Sequence, residues 1–145
     1  MSESSIYREA LLKHIRHPKN VGSIDNPDLK ASVYNPLCGD ELELNIVLSE
    51  GKIQECKTKV RGCSLCQVSA SMMSELILLK TLKDAVNMRK NFLKSLKKDY
   101  NKIPKNLEYL RPLISLKRHK SRIKCMSLAW DALDDCVRQN EKQLW

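Results

Sequence analysis

Apolar positions along this chain change period twice, and each change marks a new kind of element. Ile6/Tyr7, Ala10/Leu11 and Ile15 recur at helical spacing and predict an N-terminal helix over 6–15. His17-Pro18-Lys19-Asn20-Val21-Gly22 ends it, because Pro cannot continue a helix and Gly tolerates the turn. A loop through Asn26-Pro27 leads to a short extended piece over 31–34 and then to Asn35-Pro36-Leu37-Cys38-Gly39-Asp40. From 41 to 48 every second residue is apolar, the period of a half-buried strand. Ser49-Glu50-Gly51 supplies turn residues, and over 53–61 Cys56, Thr58 and Val60 alternate with Lys57, Lys59 and Arg61. The two segments read as an antiparallel hairpin.

After Gly62 the period becomes helical again, with Leu65, Val68, Met72, Leu76 and Leu79 on one face. Thr81-Leu82-Lys83-Asp84 has the form of a capping box, and Leu82, Ala85/Val86, Phe92/Leu93 and Leu96 predict a second amphipathic helix behind it. Pro104 and Pro112 bound a short helical connector over 106–110. A last helix is predicted from about Arg122, with Met126, Ala129/Trp130, Leu133 and Val137 facing inward. The sum is one α+β domain over 1–145, a small antiparallel sheet packed against helices.

Composition narrows the setting. Apolar residues make up 42% and charged residues 30% of 145, the balance of a soluble globular chain. No apolar run approaches the roughly 20 residues of a membrane span. The first residues mix acids and bases with no apolar segment of a secretory signal, so the expected location is cytoplasmic and no membrane partner is expected. In a reducing compartment the six cysteines read as metal ligands, reactive thiols or core fillers rather than disulfides. Net charge is +9, and between Lys80 and Lys124 fifteen Lys or Arg face only Asp84, Asp99 and Glu108. Such a skew serves contact with nucleic acid or an acidic protein, or simply solvates helix faces. Phe92, Tyr100 and Tyr109 are too scattered for a stacking platform, which argues against a zinc-stabilised nucleic-acid module.

Three thiols and a carboxylate stand where the predicted topology can gather them. Cys38 and Asp40 precede the first hairpin strand and Cys63 follows the second, so all three are expected at one end of the sheet. Cys63 is placed at a helix N-terminus, where free amides favour thiolate. Cys125, expected in the first turn of the last helix, is the best further ligand. Such a donor set suits zinc, or an iron–sulfur cluster with one labile hard ligand. Asp40 also has the simpler reading of a turn residue that satisfies backbone amides. Cys63-Ser64-Leu65-Cys66 is a C-x-x-C at a helix start, but the βαβ context of thioredoxin-like chemistry is missing; Cys66 reads as a small core residue or an incidental thiol. Cys56 and Cys136 read as core, as do Met72 and Met73. His14 and His17 are expected at the surface or as caps, and His119 as a solvated loop residue just ahead of Cys125.

Asn35-Pro36-x-Cys38-Gly39-Asp40, then Gly62-Cys63-Ser64 with Ser69-Ala70-Ser71-Met72-Met73, then Arg122-Ile123-Lys124-Cys125-x-x-Leu128-x-Trp130 resembles the SufU branch of the IscU/NifU-like family. The similarity runs from about Ile6 to Val137. The long stretch between Cys63 and Cys125 resembles the insertion of SufU, and Lys124 stands where IscU-type proteins place His. Cys66, where relatives have a small residue, and His119-Lys120-Ser121, in place of a Pro-containing approach, depart from the pattern. The resemblance implies a metal site of Cys38, Asp40, Cys63 and Cys125, with Cys38 the persulfide acceptor. It implies a role in iron–sulfur cluster assembly with a SufS-like cysteine desulfurase as sulfur donor and downstream assembly or carrier proteins and apoproteins as recipients. The bound group is then zinc in a sulfurtransferase, or alternatively a cluster built on a scaffold.

Overall fold

The computed structural model describes residues 3–143, with side chains over 5–141. Its elements run α1 (Glu3–Arg16), β1 (Leu29–Asn35), β2 (Asp40–Ser49), β3 (Lys52–Arg61), α2 (Ser64–Ile77), α3 (Leu82–Ser95), a 3-10 turn (Lys105–Leu110), α4 (Arg111–Ile114), a second 3-10 turn (Ser115–Arg118) and α5 (Lys120–Gln143). The α+β architecture is the one the pattern predicts. The extended piece before the hairpin is a full strand, so the sheet has three strands in the order β1-β2-β3, all antiparallel. Gly51, with φ +76°, closes the β2–β3 turn.

Alternation decides which face is buried. In β2 the side chains of Leu42, Leu44 and Ile46 point inward; opposite them lie Val33, Ala31 and Leu29 on one side and Val60, Thr58 and Cys56 on the other. α5 covers β1 and β2, α2 lies against β3, and the two helices pack on each other. Trp130 of α5 is fully buried and meets Phe92 of α3 with ring centroids 5.1 Å apart. Arg89 of α3 joins α5 from outside, donating to the Trp130 carbonyl and pairing with Asp131 and Asp134.

The half of the capping box that the sequence promises is present, with the Asp84 amide donating to Thr81 Oγ1 at 3.1 Å. Lys117 ties the connector to the end of α3, its Nζ donating to the carbonyls of Ser95, Lys97 and Tyr100. His14 corrects the surface reading given to it. It is 5% exposed, because α1 docks on α2 through this residue. No helix among the described residues is long and apolar enough to cross a membrane.

Candidate metal centre

The inward row of β2 does not stop at Leu42. Two residues earlier, on the same face, comes Asp40, so the polar end of an apolar row is a carboxylate that is 1% exposed. Asn35 pairs with it across the strands and is also buried. Between them the chain turns through Pro36 to Gly39, where Gly39 has φ +72° and donates its amide to the Asn35 carbonyl at 2.8 Å. Asn35 shapes the turn twice more. Its Oδ1 accepts the Leu37 amide at 3.2 Å, and its Nδ2 donates to Cys38 Sγ at 2.8 Å. The Cys38 sulfur is thus oriented on an exposed turn, beside a Leu37 that is 90% exposed.

Cys63 arrives from the far end of the hairpin as the N-cap of α2, with φ −73° and ψ 162° and no capping bond from its own side chain. The Asp40 carboxylate meets it there: Oδ1 accepts the Cys63 amide at 2.9 Å, while Oδ2 stands 3.8 Å from Cys63 Sγ. One Asp40 oxygen thus satisfies a backbone amide, the simpler of its two sequence readings, and the other faces a thiol. Gly62 is needed for a different reason from Gly39. A Cβ there would overlap Asp40 Oδ1 and stand 2.8 Å from Asp40 Cγ, so its lack of a side chain makes room for the carboxylate and does not serve a turn.

Cys125 closes the group, with Sγ 3.7 Å from Cys38 Sγ. It is placed later in its helix than expected. α5 begins at Lys120, so Cys125 lies in the second turn, where amides are already bonded within the helix. The donor atoms of Cys38, Asp40 and Cys125 all lie within 4.8 Å of one another. Cys63 borders the trio through Asp40 and through hydrogen bonding with the Cys125 thiol. Burial first, then the hydrogen bonds with Cys63 and Cys38, push the Cys125 thiol well above the ordinary range.

The donor set fits a tetrahedral metal. Bonds of ~2.3 Å to sulfur and ~2.1 Å to oxygen give edges of about 3.8 Å between sulfurs and slightly less between sulfur and oxygen. The 3.7 Å Cys38–Cys125 and 3.8 Å Cys63–Asp40 separations match those edges. Three soft thiolates with one hard oxygen suit zinc, and equally an iron–sulfur unit with one exchangeable ligand.

The remaining candidates lie around this group or away from it. Cys66 is fully buried in the first turn of α2, and burial, then Asp40, Cys63 and Cys38, push its thiol up to about 12. Cys56 and Cys136 sit in the core, each raised to about 12 by burial. Met72 and Met73 are core residues of α2. His119 is exposed, accepts from Arg118 Nε at 3.4 Å and touches no thiol; His17 is also exposed. Lys124 pairs with Asp131 at 3.5 Å. Sequence reasoning missed the action of Asn35 on Cys38, although an Asn-Pro entering a tight turn is the signal for an Asn side chain bonding backbone two residues on.

Residues 6–144 match the model of the NifU-like N terminal domain family. The zinc-dependent sulfurtransferase SufU of Bacillus subtilis is 31% identical over 138 residues, covering 94% of this chain and 92% of that protein. The iron–sulfur cluster assembly scaffold protein IscU of Streptococcus pyogenes is 27% identical over 135 residues, covering 93% and 84%. Among solved structures, an iron–sulfur cluster assembly scaffold protein for the SUF system from Fervidobacterium islandicum superposes with a TM-score of 0.82 at 27% identity, covering 94% of this chain and 99% of that one. The N-terminal part of a NifU-like protein from Brucella abortus shares the fold with a TM-score of 0.86 at 24% identity, covering 96% of each.

Proposed function

We propose, from the premise that the chain belongs to the NifU-like N-terminal domain family, that it is an iron–sulfur cluster assembly protein accepting persulfide sulfur from a cysteine desulfurase. One observation carries the reading: Cys38, Asp40 and Cys125 converge within 4.8 Å at the sheet end where Cys63 caps α2. We assign Cys38 as acceptor and Asp40, Cys63 and Cys125, together with Cys38 at rest, as the metal-holding set. Bound zinc would keep the thiols deprotonated, the form in which sulfur is a nucleophile.

The division of roles follows from exposure. Cys125 is 2% exposed and anchored in α5, and Cys63 is fixed as a helix cap. Cys38 alone of the three is exposed, on a turn of four residues. Its thiolate attacks the outer sulfur of the donor's persulfide. The bond between the two donor sulfurs breaks, the electron pair stays on the donor cysteine as thiolate, and Cys38 leaves as a persulfide. No external oxidant or reductant is consumed. Asn35 Nδ2 holds the attacking sulfur in place.

Intact mass spectrometry after incubation with desulfurase and cysteine tests this. An adduct of about 32 Da mapping to Cys38, absent from Cys38→Ser, is expected. An adduct on Cys63, Cys66 or Cys125 with Cys38 unmodified overturns the assignment. Zinc in anaerobically purified protein supports the sulfur-acceptor reading, whereas iron with labile sulfide would move the chain to the scaffold role borne by its IscU relatives.

A further inference from the structure

On the far side of α5 from the thiols lies a cleft of about 1120 Å³. Its floor is apolar: Leu93 and Leu96 from α3, Ile103 and Ile114 from the connector, and Ile123 from α5. Seven Lys or Arg residues line it and no Asp or Glu does. The neighbouring cavities differ in this respect. The one beside α3 carries Glu75 and Asp84, and the one under α1 carries Glu9 and Glu108.

Three of the seven cations are already committed. Lys117 is bonded to the carbonyls at the end of α3, Arg111 to Glu108 and Lys124 to Asp131. The other four, Lys97, Lys98, Arg118 and Lys120, are exposed and have no acidic partner among the described residues. A rim of unpaired positive charge thus surrounds a recessed apolar floor.

We propose that this cleft is a docking site for an acidic amphipathic helical segment of a partner protein, separate from the mouth of the metal centre. The occupant follows from the two halves of the surface. A nucleic-acid backbone would neutralise the rim and leave the floor unfilled. A bilayer is flat, and the apolar side chains here are sunk below the cations that would meet its headgroups. The volume exceeds the roughly 300–1,000 Å³ typical of clefts that enclose a small ligand. A helix with Leu or Ile on one face and Glu or Asp on the other satisfies both floor and rim. On α5, Ile123 and Ser127 line the cleft, and Cys125 lies roughly 200° round the helix from each at about 100° per residue. A partner seated there leaves Cys38 open, so this chain can hold one protein while exchanging sulfur with another.

The test uses the full chain and a fluorescein-labelled peptide of about 15 residues, near the length at which an isolated helix becomes stable. The peptide has Leu at i, i+3, i+4 and i+7 and Glu on its outer face. Binding is expected to weaken roughly tenfold for Lys98→Glu/Arg118→Glu, both on exposed positions, and similarly for Ile123→Glu at the floor. With desulfurase in excess, so that its association is not limiting, the final extent of persulfide on Cys38 should be the same in the double charge variant as in the native chain, so loss of docking and failure of the sulfur-acceptor reading are read separately. The proposal is overturned if a polar peptide with Leu replaced by Ser binds equally well. Tighter binding of a single-stranded oligonucleotide or of phosphatidylglycerol vesicles overturns it too, as does unchanged peptide affinity in the double variant.

Discussion

A methyl group at position 62 would occupy the space of the Asp40 carboxylate. The neighbour that must yield is short, buried and bonded to the Cys63 amide, so it cannot swing aside as a surface lysine would. Gly62→Ala is therefore expected to cost about 1–3 kcal/mol, the usual range for forcing volume into a packed site. It should also lower zinc bound per chain while the β-sheet persists. Metal analysis alongside urea unfolding checks this, and a variant with full zinc and an unchanged midpoint would show that Asp40 has room to move. The case separates what one residue reveals in sequence from what it does not. Gly39 and Gly62 both precede or flank candidate ligands, and a permissive turn is the natural reading for each. Only Gly39 has that role, because close approach of a side chain from another strand leaves no local trace in the sequence.

At the scale of elements, α1 is held to α2 and to the first 3-10 turn by a chain of hydrogen bonds that runs from the buried His14 and Ser71 out to an exposed Tyr109 and its partner Glu75. Ser71 Oγ accepts the Lys19 amide at 2.8 Å and gives its own hydrogen to His14 Nδ1 at 2.7 Å. Tyr109 gives its hydroxyl hydrogen to Glu75 at 2.8 Å and accepts from His14 Nε2 at 2.7 Å. That count satisfies every member with a neutral imidazole. Burial lowers the His14 pKa from 6.5; Glu75 opposes the shift, and Lys13 and Lys19 add to it. The unfolded chain thus takes up a proton that the folded chain resists. Stability from this site is complete above about pH 6.5 and declines as pH falls through the interval below it. Unfolding midpoints between about pH 5 and 7 should slope more steeply for the native chain than for His14→Gln, which can accept from Ser71 and donate to Tyr109 without titrating. Equal slopes would remove His14 from the account. Sequence placed this histidine at a helix end, where surface is the ordinary expectation. Its two ring nitrogens bond Ser71 and Tyr109, 57 and 95 residues away, contacts that periodicity does not encode.

For the whole molecule, the fifteen cations between Lys80 and Lys124 against three acids set a long-range field on the part of the chain built from α3, the connector and the start of α5. Association with an acidic desulfurase surface should weaken as salt shortens the Debye length from about 10 Å at 0.1 M to about 3 Å at 1 M. Binding measured by calorimetry across that range checks it, and an affinity indifferent to salt would assign the recognition to apolar contact. The hairpin and the helical half are legible in the sequence because their periods of two and 3.6 are carried by the core itself, from Leu42 to Ile46 and from Leu65 to Ile77. The start of α5 is less legible, since Lys120, Ser121 and Arg122 are polar and exposed and give periodicity nothing to mark. Strand pairing has a further consequence. Asp40 and the core residues Leu42, Leu44 and Ile46 share one alternation, and the irregularity between Val47 and Leu48 fixes how β2 lies on β3. A slip of a single residue would turn Asp40 outward together with the whole apolar row. The register that buries the apolar row is therefore the same one that aims the carboxylate at the thiols, so the core and the candidate site are won or lost together.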